Sequence, residues 1–89
     1  METALYRHTT STFREIRKAE QVHSNCIAIL FVNKGTDTAY VNGLPIAENE
    51  VFTLSQPENH IDRTQYDVYF ANAQGETQSL FVIRTLPKE

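Results

Sequence analysis

The chain has 89 residues, a formal net charge of −3, 40% apolar content, four tyrosines and five phenylalanines. That length makes one domain with a thin core, because a folded chain of this size buries only somewhat over ~60% of the surface its unfolded form exposes. The aromatic content excludes a disordered chain, the scattered Lys and Arg exclude the basic face that sequence-independent nucleic-acid binding needs, and no stretch approaches the ~20 apolar residues of a membrane span.

Met1 to Thr12 is polar and threonine-rich, with only Leu5 and Tyr6 to anchor it, and reads as an arm. Its start, Met1-Glu2-Thr3, has neither a basic nor an apolar leader segment, and the single cysteine cannot form an internal disulfide. Both predict a protein made in a reducing cytoplasm. From Phe13 to Val22 two readings stand. As a helix, Phe13, Ile16 and Ala19 share a side, with Ser11 or Thr12 as N-cap and Glu15 as the capping-box partner of Thr12. As a strand, Thr12 to Arg17 is followed by a loop, and His23-Ser24-Asn25 punctuates the chain.

The stretch from Cys26 to Leu54 organises the rest and reads as three consecutive hairpin units on one apolar face. Cys26 to Val32 is an unbroken apolar run, too short for a free-standing helix, which predicts a central strand buried on both faces. In Asn33-Lys34-Gly35-Thr36-Asp37 the chain is expected to reverse, with Gly35 at positive φ. After Thr38 to Val41, Asn42-Gly43 suits a two-residue type I′ turn, whose central residues both need positive φ. That turn sets Val41 opposite Leu44, Ala39 opposite Ile46, and Tyr40 opposite Pro45, whose missing N–H makes the segment an edge. Ala47-Glu48-Asn49-Glu50 is a polar connection, and Val51 to Leu54 resumes the period of two with Phe52 and Leu54 inward.

Ser55 to His60 is a polar loop, and Ile61 to Gln65 is its continuation or a single helical turn. Tyr66, Val68 and Phe70 alternate with Asp67 and Tyr69, a half-buried strand. Asn72 to Glu76 is a five-residue loop with Gly75 near its end. Ser79 to Ile83 is a second apolar run, and Arg84 to Glu89 is a tail. The expected fold is all-β: a small antiparallel β-sandwich or partly open barrel of about six to seven strands with an N-terminal arm or short helix. Residues 1–25 form the arm and first short element, and 26–86 the sandwich of a single domain.

No constellation for chemistry emerges. His8, His23 and His60 lie in three different arms or loops, without the spacing of a metal site. Cys26 suits an inert packing residue. Glu48, Glu50, Glu58, Asp62 and Asp67 are scattered, and a paired acid/base site needs a cleft so small a core can hardly form. The glycines serve turns. Catalytic, cofactor-binding and metal-ligating residues are therefore expected to be none, and the residues that stand out as contact points are Tyr40, Pro45 and Tyr69, the tyrosines because a ring offers apolar area plus a hydroxyl. Cross-strand packing explains the same tyrosines equally well.

The order Phe31-Val32-Asn33-Lys34-Gly35-Thr36, Val41-Asn42-Gly43-Leu44-Pro45-Ile46-Ala47, Val51-Phe52-Thr53-Leu54, Ile61-Asp62-Arg63-Thr64-Gln65-Tyr66 and Leu80-Phe81-Val82-Ile83-Arg84 resembles small β-sandwich virion proteins of tailed bacteriophages, over about residues 26–84. The resemblance implies a non-enzymatic particle component, capsid-decorating or a neck or tail accessory, found in the virion after synthesis in the bacterial host cytoplasm. Its partners would be other virion proteins or copies of itself in a homo-oligomer, with no nucleic acid and no membrane. In such subunits the arm, here Met1 to Asn25, exchanges between protomers. The alternative is a small ligand- or carbohydrate-binding β-sandwich module that uses Tyr40 or Tyr69 as a stacking platform.

Overall fold

The computed structural model describes residues 9–57 and 60–87. The arm segment Met1 to His8, the carboxylate Glu58 with Asn59, and the tail residues Lys88 and Glu89 lie outside them. The described chain is all-β, with eight strands: β1 (Thr9–Ile16), β2 (Glu20–His23), β3 (Ala28–Asn33), β4 (Ala39–Val41), β5 (Leu44–Ile46), β6 (Val51–Ser55), β7 (Gln65–Phe70) and β8 (Leu80–Pro87). They form two antiparallel four-stranded sheets, ordered β1-β8-β3-β6 and β2-β7-β4-β5. Every connection except β4–β5 crosses from one sheet to the other, which is the jelly-roll order of a double-sheet sandwich.

The N-terminal part is strand rather than helix. Thr9–Ile16 runs the length of β8, pairing Phe13 with Ile83 and Ile16 with Leu80. Three residues apart on a strand, Phe13 and Ile16 face opposite ways: Phe13 is 71% exposed and Ile16 is 1% exposed in the core. Residues 9–23 thus give each sheet an outer strand, and the strand number rises to eight.

The Asn42-Gly43 turn forms as its chemistry requires, with φ of 51° and 86°. The register across it is Ala39↔Ile46, Tyr40↔Pro45, Val41↔Leu44, and β5 is an edge. It is the one strand pair joined by a tight turn. The expected reversal at Asn33 to Asp37 is instead a crossing between sheets, because these residues bond to the β7–β8 connection: Lys34 and Gly35 N–H to the Ser79 carbonyl (2.9 and 3.0 Å), Thr36 and Asp37 N–H to that of Thr77 (both 3.0 Å). Gly35 is not at positive φ. It is glycine because a Cβ there would strike the Thr77 carbonyl oxygen and come within 2.7 Å of the Ser79 nitrogen. Ile61 to Gln65 holds no helical turn; Asp62 bridges to Cys26 through paired backbone bonds of 2.7 and 3.2 Å.

The core lies between the sheets. Phe31, fully buried, packs edge-on to Tyr66 (ring centroids 5.3 Å) and stacks with Phe52 (6.0 Å). Ile16, Ile29, Leu80 and Val82 from one sheet meet Val22, Val41, Ile46, Val68 and Phe70 from the other. β7 reads exposed and buried in strict alternation, as its sequence predicts. β3 alternates between half-buried and buried: Ile29, Phe31 and Asn33 face the core, while Ala28, Leu30 and Val32 on its outer face are half-buried rather than fully covered as expected. Leu54 shares the inner face through its pairing with Ile29 but remains 39% exposed, since three-residue β5 is too short to cover the end of β6.

Candidate functional site

The three contact residues expected from sequence come together. Pro45 pairs with Tyr40 and Tyr40 with Tyr69, so the three form one row across the outer face of β5, β4 and β7. The two tyrosine rings are offset-stacked, 5.0 Å between centroids and 7° between planes. At that spacing each ring spends one face on the other, which is cross-strand packing. Around the row, this outer face carries Gln21, His23, Gln65 and Asp67; Gln21 donates to Asp67 at 3.1 Å. The surface is polar apart from the row.

The opposite outer face is different in kind. Its strand positions are Thr9, Ser11, Phe13 and Glu15 of β1, Phe81, Ile83, Thr85 and Pro87 of β8, Ala28, Leu30 and Val32 of β3, and Val51, Thr53 and Ser55 of β6. One lateral row runs Phe13, Ile83, Leu30, Thr53 and the next Glu15, Phe81, Val32, Val51. Glu15 is the only charge among these positions. It accepts from Ser79 Oγ at 2.6 Å and from Arg17 Nε at 3.1 Å, and the Ser79 bond above all holds its carboxyl below the usual range. Sequence reasoning does not single out Phe13, Leu30, Phe81, Ile83 or Val51. The signal lies in the two unbroken apolar runs: a strand apolar on both faces needs two covers, and the described chain has no third layer to supply one.

The buried polar groups are fully engaged. Asp62 Oδ1 accepts from the Thr64 N–H (3.1 Å) and hydroxyl (2.6 Å), and Oδ2 from the Tyr66 hydroxyl (2.9 Å). Burial pushes this carboxyl up, but those bonds outweigh it and hold it below its ordinary value. Tyr66, buried and donating to Asp62, is pushed up to about 12. Asp37 accepts from Gln78 Nε2 (3.0 Å) and from the N–H groups of Asn72 (2.7 Å) and Ala73 (3.2 Å). Cys26 is fully buried, and burial pushes its thiol up, away from the reactive thiolate. These groups fasten loops.

A cleft of about 340 Å³ opens between the outer strands β1 and β2, lined in part by Arg14, His23 and Arg84. Its cations are occupied: Arg14 pairs with Glu20 at 2.7 Å, and Arg84 Nη1 donates to the carbonyls of Ser24 (2.9 Å) and His23 (3.2 Å). The exposed His23 and His60 sit apart on β2 and the β6–β7 loop, and Glu48 and Glu50 lie in the β5–β6 connection. Among the described residues no three His, Cys, Asp or Glu side chains gather as metal ligands would. No protein-family model, no curated protein and no solved structure matches the chain.

Proposed function

We propose that the chain is a non-enzymatic structural subunit of a tailed-phage particle, a capsid-decorating or neck or tail accessory protein that works through protein–protein contacts. The outer face of β1-β8-β3-β6 carries the assembly part of this reading. Exposed Phe13 and Val51 and half-buried Ile83, Leu30, Phe81 and Val32 form an apolar band across its four strands, bordered by Thr and Ser, with Glu15 its one charged strand residue. A contiguous apolar patch on so small a domain is a contact surface, since leaving it in water forgoes about 25 cal/mol for each Å² that a partner would cover.

The particle part is supported by the likeness of residues 26–84 to small virion β-sandwich proteins. The jelly-roll order is shared by viral capsid domains, lectins and cupins, so topology alone leaves the class open, and the apolar outer face is what favours a protein–protein role. Partners on this reading are other virion proteins or further copies of the chain, with the virion as its place after synthesis in the host cytoplasm. The carbohydrate-platform alternative needs an open aromatic face, and the Tyr40–Tyr69 stack turns one face of each ring to the other.

Co-expression with the products of neighbouring genes, followed by sedimentation of assembled particles, tests the proposal. The chain is expected to sediment with particles, while Leu30→Lys and Ile83→Lys remain in the supernatant with the far-ultraviolet spectrum of the parent. Particles that assemble fully while the parent chain stays behind would overturn it, as would flanking genes that encode no capsid, portal or tail component.

A further inference from the structure

A sandwich of two open sheets has four edge strands, each a row of unpaired backbone groups that must be blunted or used. Three are blunted here. Edge strand β1 carries Arg14 on its inner-facing side, where it pairs with Glu20 of edge strand β2 at 2.7 Å beside the cleft between the two strands, a charge that a further strand would have to accommodate. β2 itself is four residues long with Glu20 at its start, and β5 carries Pro45. β6, Val51-Phe52-Thr53-Leu54-Ser55, has no proline, glycine or charge.

The corner formed by β5 and β6 is also where exposed apolar side chains concentrate. Among the described residues five large hydrophobics are exposed, and three of them, Leu44 (44%), Val51 (55%) and Leu54 (39%), sit on these two strands. Leu44, Ile46, Val51 and Phe52 line a cleft of about 270 Å³ between them.

The backbone ladder fixes what this edge can accept. Asn33 N–H bonds to the Glu50 carbonyl (3.1 Å) and Gln56 N–H to the Ile27 carbonyl (2.8 Å), and the register pairs Phe31 with Phe52 and Ile29 with Leu54. Even-numbered residues of β6 therefore bond toward β3. By the alternation of an antiparallel ladder, Val51, Thr53 and Ser55 turn their N–H and C=O groups to the open edge.

A second β6 laid antiparallel with Thr53 opposite Thr53 meets that edge group for group. Val51 then pairs with Ser55 of the other copy, and all six outward groups on each strand exchange hydrogen bonds. Phe52 falls opposite Leu54 of the other copy in close, non-hydrogen-bonded pairs on the inner face, covering the Leu54 side chain that β5 leaves bare. The register sets no like charges against each other, since β6 has none.

We infer that two copies of this chain join edge to edge through β6, antiparallel about Thr53, so that the two β1-β8-β3-β6 sheets become one continuous sheet. The apolar outer faces then lie side by side as a single doubled surface. The pairing rests on the assembly role proposed above only in making the chain a subunit: a chain that enters particles as a monomer sinks the pairing and leaves that role standing.

Sedimentation equilibrium of the full chain from low to high micromolar concentration tests it. Wild type is expected to reach twice the chain mass, with amide exchange at Val51, Thr53 and Ser55 slowing as concentration rises. Thr53→Pro removes an N–H that points to the open edge and, toward β3, only the long hydroxyl bond to the Ile29 carbonyl (3.3 Å), leaving the backbone ladder intact, so the fold is retained and the dimer is lost across the whole range. Thr53→Lys, which sets two ammonium groups together on the two-fold axis, loses it as well. A wild-type chain monomeric at every concentration, edge amides whose exchange is independent of concentration, or a folded Thr53→Pro variant that still dimerises overturns the inference. Should Thr53→Pro fail to fold, the wild-type exchange data and Thr53→Lys decide.

Discussion

The side-chain amide of Asn33, the last residue of β3 in one sheet, donates at 2.8 Å to the carbonyl of Ile46, the last residue of β5 in the other. The same Nδ2 donates to the Asp37 carbonyl at 2.8 Å, and Oδ1 accepts from the Gly35 N–H at 2.9 Å. Asn33 is fully buried, so each of these groups would otherwise lack water. Replacing it with Ala strands two buried carbonyls, and the expected loss of stability is about 3 kcal/mol. Asn33→Asp is expected to do no better, because a carboxylate has no donor to offer. Urea unfolding measures both; a loss under about 1 kcal/mol for Asn33→Ala would show the amide to be dispensable.

Acid is expected to loosen the fold through Asp37 and Asp62. Hydrogen bonds from Gln78, Asn72 and Ala73 hold Asp37 below the ordinary value of 3.8 despite its burial. Burial raises Asp62, and the bonds from Thr64 and Tyr66 outweigh it, leaving it below 3.8 also. A carboxyl whose folded pKa is depressed adds stability that is fully present above its unfolded value and disappears as pH falls through the folded one. The melting temperature is thus expected to hold from neutral pH to about 4 and then fall steeply, and Asp37→Asn and Asp62→Asn each flatten that fall. Parallel acid limbs in parent and variants would refute the assignment.

How much of the structure is legible in the sequence depends on whether a local rule or a tertiary contact sets each feature. The Asn42-Gly43 turn and its register follow from backbone chemistry at two residues, and the β7 alternation follows from one strand's own pattern. Residues 9–23 read ambiguously because Phe13 and Ile16 suit one helix face as well as opposite strand faces, and only pairing with β8 distinguishes these. Of the contact surface, the Pro45-Tyr40-Tyr69 row follows from the hairpin. The face built from Phe13, Leu30 and Ile83 does not, because it needs strands far apart in sequence to be neighbours.

Gly35 eludes a local reading for the same reason, and its role sets an order on two substitutions. Gly43 sits at positive φ, and a Cβ added there would meet nothing within 4 Å, so Gly43→Ala carries only the left-handed backbone cost of about 1–2 kcal/mol. Gly35→Ala meets backbone of the β7–β8 connection, which cannot step aside without breaking the bonds from Lys34 to Asp37. Gly35→Ala is expected to be the more damaging of the two, by chemical denaturation or by soluble yield. Equal or reversed costs would count against the close approach.

Alkali acts through Tyr66. Burial, then its bond to Asp62, pushes this hydroxyl from 10 to about 12. A raised folded pKa contributes stability that is whole below the unfolded value and lost as pH climbs through the folded one, so the fold weakens between about 10 and 12. Absorbance of ionising tyrosine is expected to show one ring titrating late and together with unfolding. Tyr66→Phe removes that late step; a late step that survives the substitution belongs to another ring.

The aromatic row gives the last expectation. Tyr40 and Tyr69, offset-stacked 5.0 Å apart on neighbouring strands, form a directly opposed pair with their ring planes 7° apart. If their role is packing, Tyr40→Ala and Tyr69→Ala lose a shared term, and the double variant is less destabilised than the sum of the singles by about 0.5–1.5 kcal/mol. Particle entry in the assay above stays intact in both singles, because the apolar face lies on the other sheet. Additive single losses, together with loss of binding to a glycan array that the parent recognises, would move the functional surface from the Leu30–Ile83 face to this row.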